Sequence, residues 1–410
     1  MVSDKDRAIL RELAQQMREQ AETPRMDELK KLWLANNCCR GARPMVTIET
    51  WTFGDDIVLP RRRCEGEYAR GLENYMLQKL ASARDFKDDT IIEPYYPVRP
   101  CWDFKPLGLD VRVEKFKPDD VGHHFIEQIN DLEADFGLLK ESSFSARPDE
   151  TREAAGQINE IFGDILPARV TGSGLYVVLT QNLVHLMSMT TLLMSMYDYP
   201  ELFLRMMQML TDDYLRFFRF LEAGDHLLPT TGSDGVGQGT YAYNDELPTV
   251  AGGLKTRDLW GFCDSQETLG VSPAMFGEFI FPFYQRIANE YGLLSYGCCE
   301  PVHTFWEDYL SKLTKLRKIS ISPWCDERFM GERLAGKKIV YHRKPSPNFL
   351  GLGGALDEDA VTAHIRTTVE SVKGCALEIT QRDVYTVGGD LGKVARYVEI
   401  IRRETENCYR

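Results

Sequence analysis

GLLSYGCCEPVHTFWEDYLSKLTKLRKISISP (292–323) decides how the chain is read. It opens on a short β-rich run, GLLSYGCC (292–299), and passes through a helical pattern over 302–313. It closes on a second β-rich run, RKISISP (317–323). Strand, helix, strand in so short a span is the repeat of an α/β fold.

The same alternation extends outward in both directions. β-rich runs occur at TIIEPYYPV (90–98), ILPARVTG (165–172), HLLPTTGS (226–233), LWGFCDSQE (259–267), KIVYHRKP (338–345) and CALEITQRD (375–383). Helical patterns over 183–222, 273–291 and 357–373 lie between them. Together these runs make eight strands and predict a (β/α)8 TIM barrel. A doubly wound sheet fits the alternation equally well, but no GxGxxG follows the first strand. The nearest match, GVGQGT (235–240), leads into YAYNDELP and reads as a flexible loop at the edge of the site.

Ahead of the alternation, apolar residues at Ile9, Leu10, Leu13 and Met17 recur near a 3.6 period. Helical patterns continue over 26–36 and 65–83, the latter with Tyr68, Leu72, Tyr75, Met76 and Leu80. The expected organisation is an N-terminal helical extension over 1–88 packed on a single catalytic barrel over 89–410. The Met-rich stretch LMSMTTLLMSMYDYPELFLRMMQML (186–210) reads as core packing.

The net charge of −13 argues against nucleic acid or an anionic membrane as partner. No apolar run approaches the ~20 residues that span a bilayer, and the polar start lacks a signal peptide's hydrophobic stretch. A cytoplasmic location is therefore expected. The ten cysteines, Cys38, Cys39, Cys64, Cys101, Cys263, Cys298, Cys299, Cys325, Cys375 and Cys408, are scattered and show no CxxC spacing. They form neither a zinc ribbon nor a disulfide framework, and each is by default a small buried hydrophobe.

Barrel active sites lie at the C-terminal strand ends, which turns the strand runs into candidates. They are Glu93, Tyr95 and Tyr96; Asp234; Cys263, Asp264, Gln266 and Glu267; Tyr296, Cys298, Cys299, Glu300 and His303; Cys325, Asp326 and Glu327; His342, Arg343 and Lys344; and Glu378, Arg382 and Asp383. Alternation along a strand puts Tyr296 and Cys298 on one face and Cys299 on the other. Zinc needs three or four N, S or O ligands, and Cys298, Glu267 and Glu378 could supply them from three strand ends. Cys299, Glu300 or His303 would be a fourth, although Glu300 reads equally as a helix cap and His303 as a helical surface residue. Crowding of Asp264, Glu267, Glu378 and Asp383 at one mouth requires pairing, metal or protonation, with Arg343, Lys344 and Arg382 as counter-charges.

GFCDSQETLGVSPAMFGEFIFPFYQRI (261–287), GLLSYGCCEPVH (292–303), LRKISISPWCDE (316–327) and GCALEITQRDVYTV (374–387) resemble the uroporphyrinogen decarboxylase superfamily. Within it they are most similar to the branch of corrinoid-linked methyltransferases. EIFGDILPARV (160–170), MYDYPELFLRMM (196–207) and TYAYNDELP (240–248) resemble the same subgroup, so the likeness runs from about 46 to 403. It implies the (β/α)8 barrel and a zinc held by a His-x-Cys pair and a further Cys. Here those positions read Tyr296, Cys298 and Glu378, which implies a mixed set of Cys298, Glu267, Glu378 and Cys299. The decarboxylases' arginine-rich N-terminal motif is missing from ARPMVTIETWTFGDD (42–56), where Glu49, Trp51 and Asp55 stand instead.

The resemblance implies methyl transfer from a small methylated donor to the cobamide of a separate corrinoid protein, because no DxHxxG motif is present. Glu267, Glu378 and Asp264 are the expected catalytic acids. Trp51, Glu49, Tyr95, Tyr96, Asp234, Tyr241, Tyr296, Lys344 and Arg382 are the expected substrate contacts. Their aromatic members would favour an aryl methyl ether. Zinc is the expected cofactor, and a homodimer is expected from the family alone. Two other classes remain open at this point: a decarboxylase or lyase that holds a small carboxylated substrate with Arg343, Lys344 and Arg382, and a non-catalytic barrel.

Overall fold

The computed structural model describes residues 2–41, 43–115 and 122–406; Cys408 falls outside them. Its centre is a seven-stranded parallel sheet. The strands are β1 (Met45–Ile48), β2 (Leu175–Val177), β3 (Trp260–Cys263), β4 (Leu293–Tyr296), β5 (Leu316–Ile321), β6 (Val340–Arg343) and β7 (Ala376–Gln381). They lie in the order β1-β7-β6-β5-β4-β3-β2, the curling succession of a TIM-barrel-like fold. Helices cover the outer face: Leu377 and Ile379, for example, join the large core cluster with Val394, Tyr397 and Ile401 of the last helix. Among the described residues no helix is long and apolar enough to cross a membrane.

Between β1 and β2 no ladder closes the sheet. Residues 88–90 lie beside β1, and two buried carboxylates replace the missing partner strand. Asp88 Oδ2 accepts from Ile48 N at 2.8 Å, and Asp89 Oδ2 accepts from Val46 N at 2.8 Å. Only Asp89 N→Val46 O is a backbone bond of ladder type, at 2.8 Å. Because the free N–H groups of β1 are capped in this way, the edge is satisfied without an eighth strand.

Three of the expected strands are accordingly corrected. Within 90–98 only Tyr96–Val98 is strand, and it pairs with Ala168–Val170, from the run expected at 165–172, in a separate two-stranded sheet. The segment 226–233 holds no strand, while Leu175–Val177 does. The expected helical extension over 1–88 contains β1, which is paired with β7 in the main sheet. Helices α1 (Asp4–Ala21), α2 (Pro24–Asn37) and α3 (Glu67–Ala81) flank it in sequence.

The inner face of the sheet is unusually polar. Lys318 donates to Glu378 Oε2 at 2.9 Å, with both side chains fully buried. Above them His342 Nε2 lies 2.8 Å from Thr380 Oγ1, which in turn bonds Thr47 Oγ1 at 3.0 Å. GVGQGT is no flexible edge loop. It forms a hairpin, Gly235–Gly237 with Thr240–Tyr241, driven against this inner face. Thr240 Oγ1 accepts from Lys318, Gln238 Oε1 accepts from Lys344 at 2.9 Å, and Trp260 Nε1 donates to Ala242 O at 2.9 Å. The glycines make the fit possible: a Cβ on Gly237 would lie 2.8 Å from the Phe262 ring, and one on Gly239 2.7 Å from Thr380 Cγ2.

Leaving one member of a buried ion pair alone costs about 3–5 kcal/mol, whereas replacing both by apolar groups is often neutral. Glu378→Gln should therefore lower the unfolding free energy by about that amount in urea titration, and Lys318→Met/Glu378→Leu should recover most of it. Equal losses in the single and double variants would refute the pairing argument.

Candidate active site

The strand ends carry a second, higher tier of charged groups above that polar interior. Glu49 follows β1, Asp264 follows β3, Lys344 follows β6 and Arg382 follows β7. Each continues the inward side of its strand two residues beyond Thr47, Phe262, His342 and Thr380 respectively. Arg382 Nε donates to Glu49 Oε2 at 3.1 Å, and Arg382 Nη1 reaches Cys298 Sγ at 3.7 Å. Asp383 Oδ1 lies 3.4 Å from Arg382 Nη2.

Cys298 reaches this tier by a route that simple alternation does not give. Tyr296 faces outward, its ring 6.3 Å from that of Tyr284 and its hydroxyl 2.7 Å from Ser265 Oγ. It belongs to the helix-side core and is no substrate contact, which corrects the expectation that it shares a face with Cys298. Gly297, at φ 99°, breaks the alternation. The chain then turns so that Cys298 N donates to Glu300 Oε2 at 2.8 Å while Ser265 N donates to Glu300 Oε1 at 3.0 Å. Glu300 is thus a buried clamp between two strand ends, and His303 is a helical residue accepting from Asp326 N at 3.2 Å.

The thiols of Cys298 and Cys299 are 3.6 Å apart. The Cys299 hydrogen bond and then burial raise the Cys298 thiol, while the same bond holds the Cys299 thiol below its ordinary value. Beside them, Asp264 is fully buried, and neither carboxyl oxygen has a hydrogen-bond partner among the described residues. Burial, with Glu300, Cys298 and Glu267 nearby, pushes it well above the usual carboxylate range. Enclosure without a hydrogen-bond partner favours its neutral form. Glu267 accepts from Thr180 Oγ1 at 2.8 Å and is raised by burial. Burial and the neighbouring Arg382 lower Lys344 to about 8.

Glu49 of this tier lines a cavity of about 770 Å³ together with Trp51, Tyr75, Tyr176, Gln238 and Tyr241, whereas Asp264, Cys298, Lys344 and Arg382 lie outside its lining. Tyr176 stacks on Phe262 at 4.5 Å, and Asp264 and Cys298, after burial, raise its phenol. It is therefore the wall residue nearest in effect to both. Tyr95 and Asp234 line a smaller cleft next door with Tyr241, where Tyr95 Oη is 3.4 Å from Ser233 Oγ. Tyr96 packs on Tyr75 and Phe162 and is buried in the core, so it is no substrate contact.

The expected zinc set of Cys298, Glu267, Glu378 and Cys299 is not brought together. Glu378 lies a tier below the mouth, held by Lys318 and 3.6 Å from His342 Nε2. Among the described residues, Cys38, Asp245 and Glu246 are the trio whose ligand atoms lie within 4.8 Å of one another. They sit by the opposite strand ends and already face Arg40, Arg317 and Lys338. Neither set fits a catalytic zinc, and Glu378 is removed from the catalytic candidates for the same reason. Arg343 is likewise turned outward, pairing with Glu327 at 2.7 Å.

Among solved structures, the chain is similar to a methyltransferase from Methanosarcina mazei, with a TM-score of 0.51 over 93% of this chain and 99% of that one. At 13% identity, this likeness establishes the fold alone. No protein-family model and no curated protein matches the sequence.

Cys299 is half-buried with a lowered thiol, whereas burial raises that of Cys39, also half-buried. Thiolate content governs alkylation. Iodoacetamide at pH 7 followed by peptide mapping should therefore label Cys299 several-fold faster than Cys39; the reverse order would overturn the assignment of the thiolate.

Proposed function

We propose that the protein is a methyltransferase of the uroporphyrinogen decarboxylase-like, corrinoid-linked type. In this reading it moves a methyl group from a small methylated donor, best an aryl methyl ether, to the cobamide of a separate protein. The observation that carries it is the neutral, unbonded Asp264 behind an aromatic-walled cavity at the strand ends. The (β/α)8-like fold shared with a methyltransferase supports it.

The partner's reduced cobamide supplies the nucleophile when bound. This chain's task is to orient the donor and to manage the leaving oxygen. As the carbon–oxygen bond breaks, its electron pair stays on the aryl oxygen, which must be protonated or stabilised. Burial favours the protonated form of Asp264, and Tyr176 stands on the wall within its influence. Asp264 has no hydrogen-bond partner of its own here, so its proton is free to pass to the leaving oxygen of a bound donor beside the Tyr176 wall. Arg382, fixed by Glu49, and Lys344, fixed by Gln238, add positive potential where the phenolate forms. Glu267 and Thr180 complete the acid's buried surroundings. The Cys298–Cys299 pair lies beside Arg382, and no step passes through a metal.

A general acid typically contributes about 10²–10⁴-fold. Transfer from a methoxyarene to chemically reduced cobalamin, followed by methylcobalamin absorbance, tests the reading. Wild-type activity should fall as pH rises through the raised pKa of Asp264, because the protonated form is the active one. Asp264→Asn should lose about 10²–10⁴-fold in kcat and also lose that alkaline limb. A limb that persists in the variant would remove Asp264 from the role. Failure of every methoxy, methylthio and methylamine donor would sink methyl transfer itself.

A further inference from the structure

The helix side of the cavity carries a feature that proton delivery does not use. α3 presents Gly71, Asn74, Tyr75 and Gln78 along one face, with Lys79 beside them, and all five line the cavity. The Lys79 ammonium donates to Tyr241 Oη at 3.3 Å and lies 5.7 Å from that ring's centre. Among the described residues it forms no ion pair, although its side chain is largely enclosed. Opposite, Arg99 also lines the cavity, with Nη2 close enough to meet a Cβ built on Gly235 at 3.7 Å. It too makes neither an ion pair nor a hydrogen bond with any described residue.

The neighbouring carboxylates are committed elsewhere. Glu49 serves Arg382, Glu93 serves Lys30 at 2.7 Å and Tyr243 at 3.0 Å, and Asp88 takes the N–H groups of Ile48 and Thr90. Asp234, in the adjoining cleft, accepts from Gly232 N at 3.2 Å. Lys79 and the exposed Arg99 bring two cations without a counter-ion to one aromatic cavity, and the enclosed Lys79 ammonium in particular is costly unless it is paired. A ligand with an anionic end completes it through charge-assisted hydrogen bonds.

We propose that Lys79 and Arg99 form an anion-binding subsite and that the ligand of this cavity is an aromatic carboxylate. Its carboxylate lies between the two cations, its ring runs along Tyr75 and Tyr176, and its opposite end faces Glu49 at the end of β1. The direction of the ligand rests on the methyl-transfer reading; the anion subsite stands without it. Lys79 and Arg99 replace, from the helix and loop side, the carboxylate-holding arginines absent from 42–56.

The test is equilibrium binding of 4-methoxybenzoate and of its uncharged methyl ester to the full-length protein, by calorimetry and without cobamide. The acid should bind at least about tenfold more tightly than the ester, as expected for one charge-assisted contact to an enclosed cation. Added salt should weaken the acid more than the ester. Lys79→Met should abolish the preference while leaving ester affinity within about twofold, Lys79→Arg should retain most of it, and Arg99→Ala should reduce it. Circular dichroism confirms that each variant is folded. Equal affinity for acid and ester, no measurable binding of the acid, or a preference surviving in both Lys79→Met and Arg99→Ala overturns the subsite. Transfer from neutral anisole would then still stand, whereas loss of transfer with acid binding intact would count against the proposed reaction alone.

Discussion

The buried pair of Lys318 and Glu378 is the constraint from which the interior is built. An ammonium and a carboxylate, both fully buried, persist only when further partners satisfy them. Glu378 supplies one partner of Lys318, and Thr240 of the inserted hairpin supplies another. The rings of Trp33 and Trp260, 5.5 and 5.8 Å from the ammonium, surround it. Holding Thr240 fixes Gln238 two residues earlier on the same hairpin, and Gln238 in turn holds Lys344 at the mouth. The position of a group at the site is therefore set by an ion pair a full tier beneath it.

That hierarchy explains which parts of the fold are legible in the sequence. The runs at 259–267, 292–299, 317–323, 338–345 and 375–383 each contain a strand of the main sheet, because a strand covered by helices outside and packed inside stays rich in β-formers. The N-terminal half obeys different rules. Met45–Ile48 is only four residues long and lies among helices, so nothing in its pattern separates it from a helical extension. The run at 90–98 has strand composition, yet Asp88 and Asp89 answer β1 with side chains instead of a ladder. A carboxylate that replaces a backbone carbonyl leaves no mark in hydrophobic periodicity.

The site divides along similar lines. Asp264, Lys344 and Arg382 were reachable by counting two residues on from the inward-facing Phe262, His342 and Thr380, since the inward side persists over that distance. Tyr296 fails the same count because Gly297 takes a left-handed conformation, which resets the alternation between it and Cys298. Glu378 has the right face but the wrong height, and only the presence of Lys318 opposite it distinguishes a structural carboxylate from a catalytic one. Lys79 lies on a helix amid an ordinary amphipathic pattern, and Arg99 lies in a loop. Neither carries a signal before the helix is docked, although spacing of 71, 74, 75 and 78 along one face could have marked the helix as a wall.

The distribution of charge at the mouth favours chemistry in which a neutral acid works beside fixed cations. Arg382 is compensated by Glu49 and Asp383, whereas Lys344 has only the neutral Gln238 amide as its hydrogen-bond partner. Asp264 stays uncharged despite lying near Lys344, because burial and the surrounding Glu300, Cys298 and Glu267 outweigh that one attraction. If Lys344 lost its proton, as its lowered value of about 8 allows in mildly alkaline solution, the attraction would weaken further and Asp264 would hold its proton still more firmly. A charged Lys344 by itself draws Asp264 toward ionisation, so a protonated acid beside an ammonium depends on burial and the surrounding acids and not on the pair's mutual effect. The neutral form of the acid is favoured by enclosure, and enclosure is what the hairpin, the Glu300 clamp and the stacked Tyr176–Phe262 pair provide.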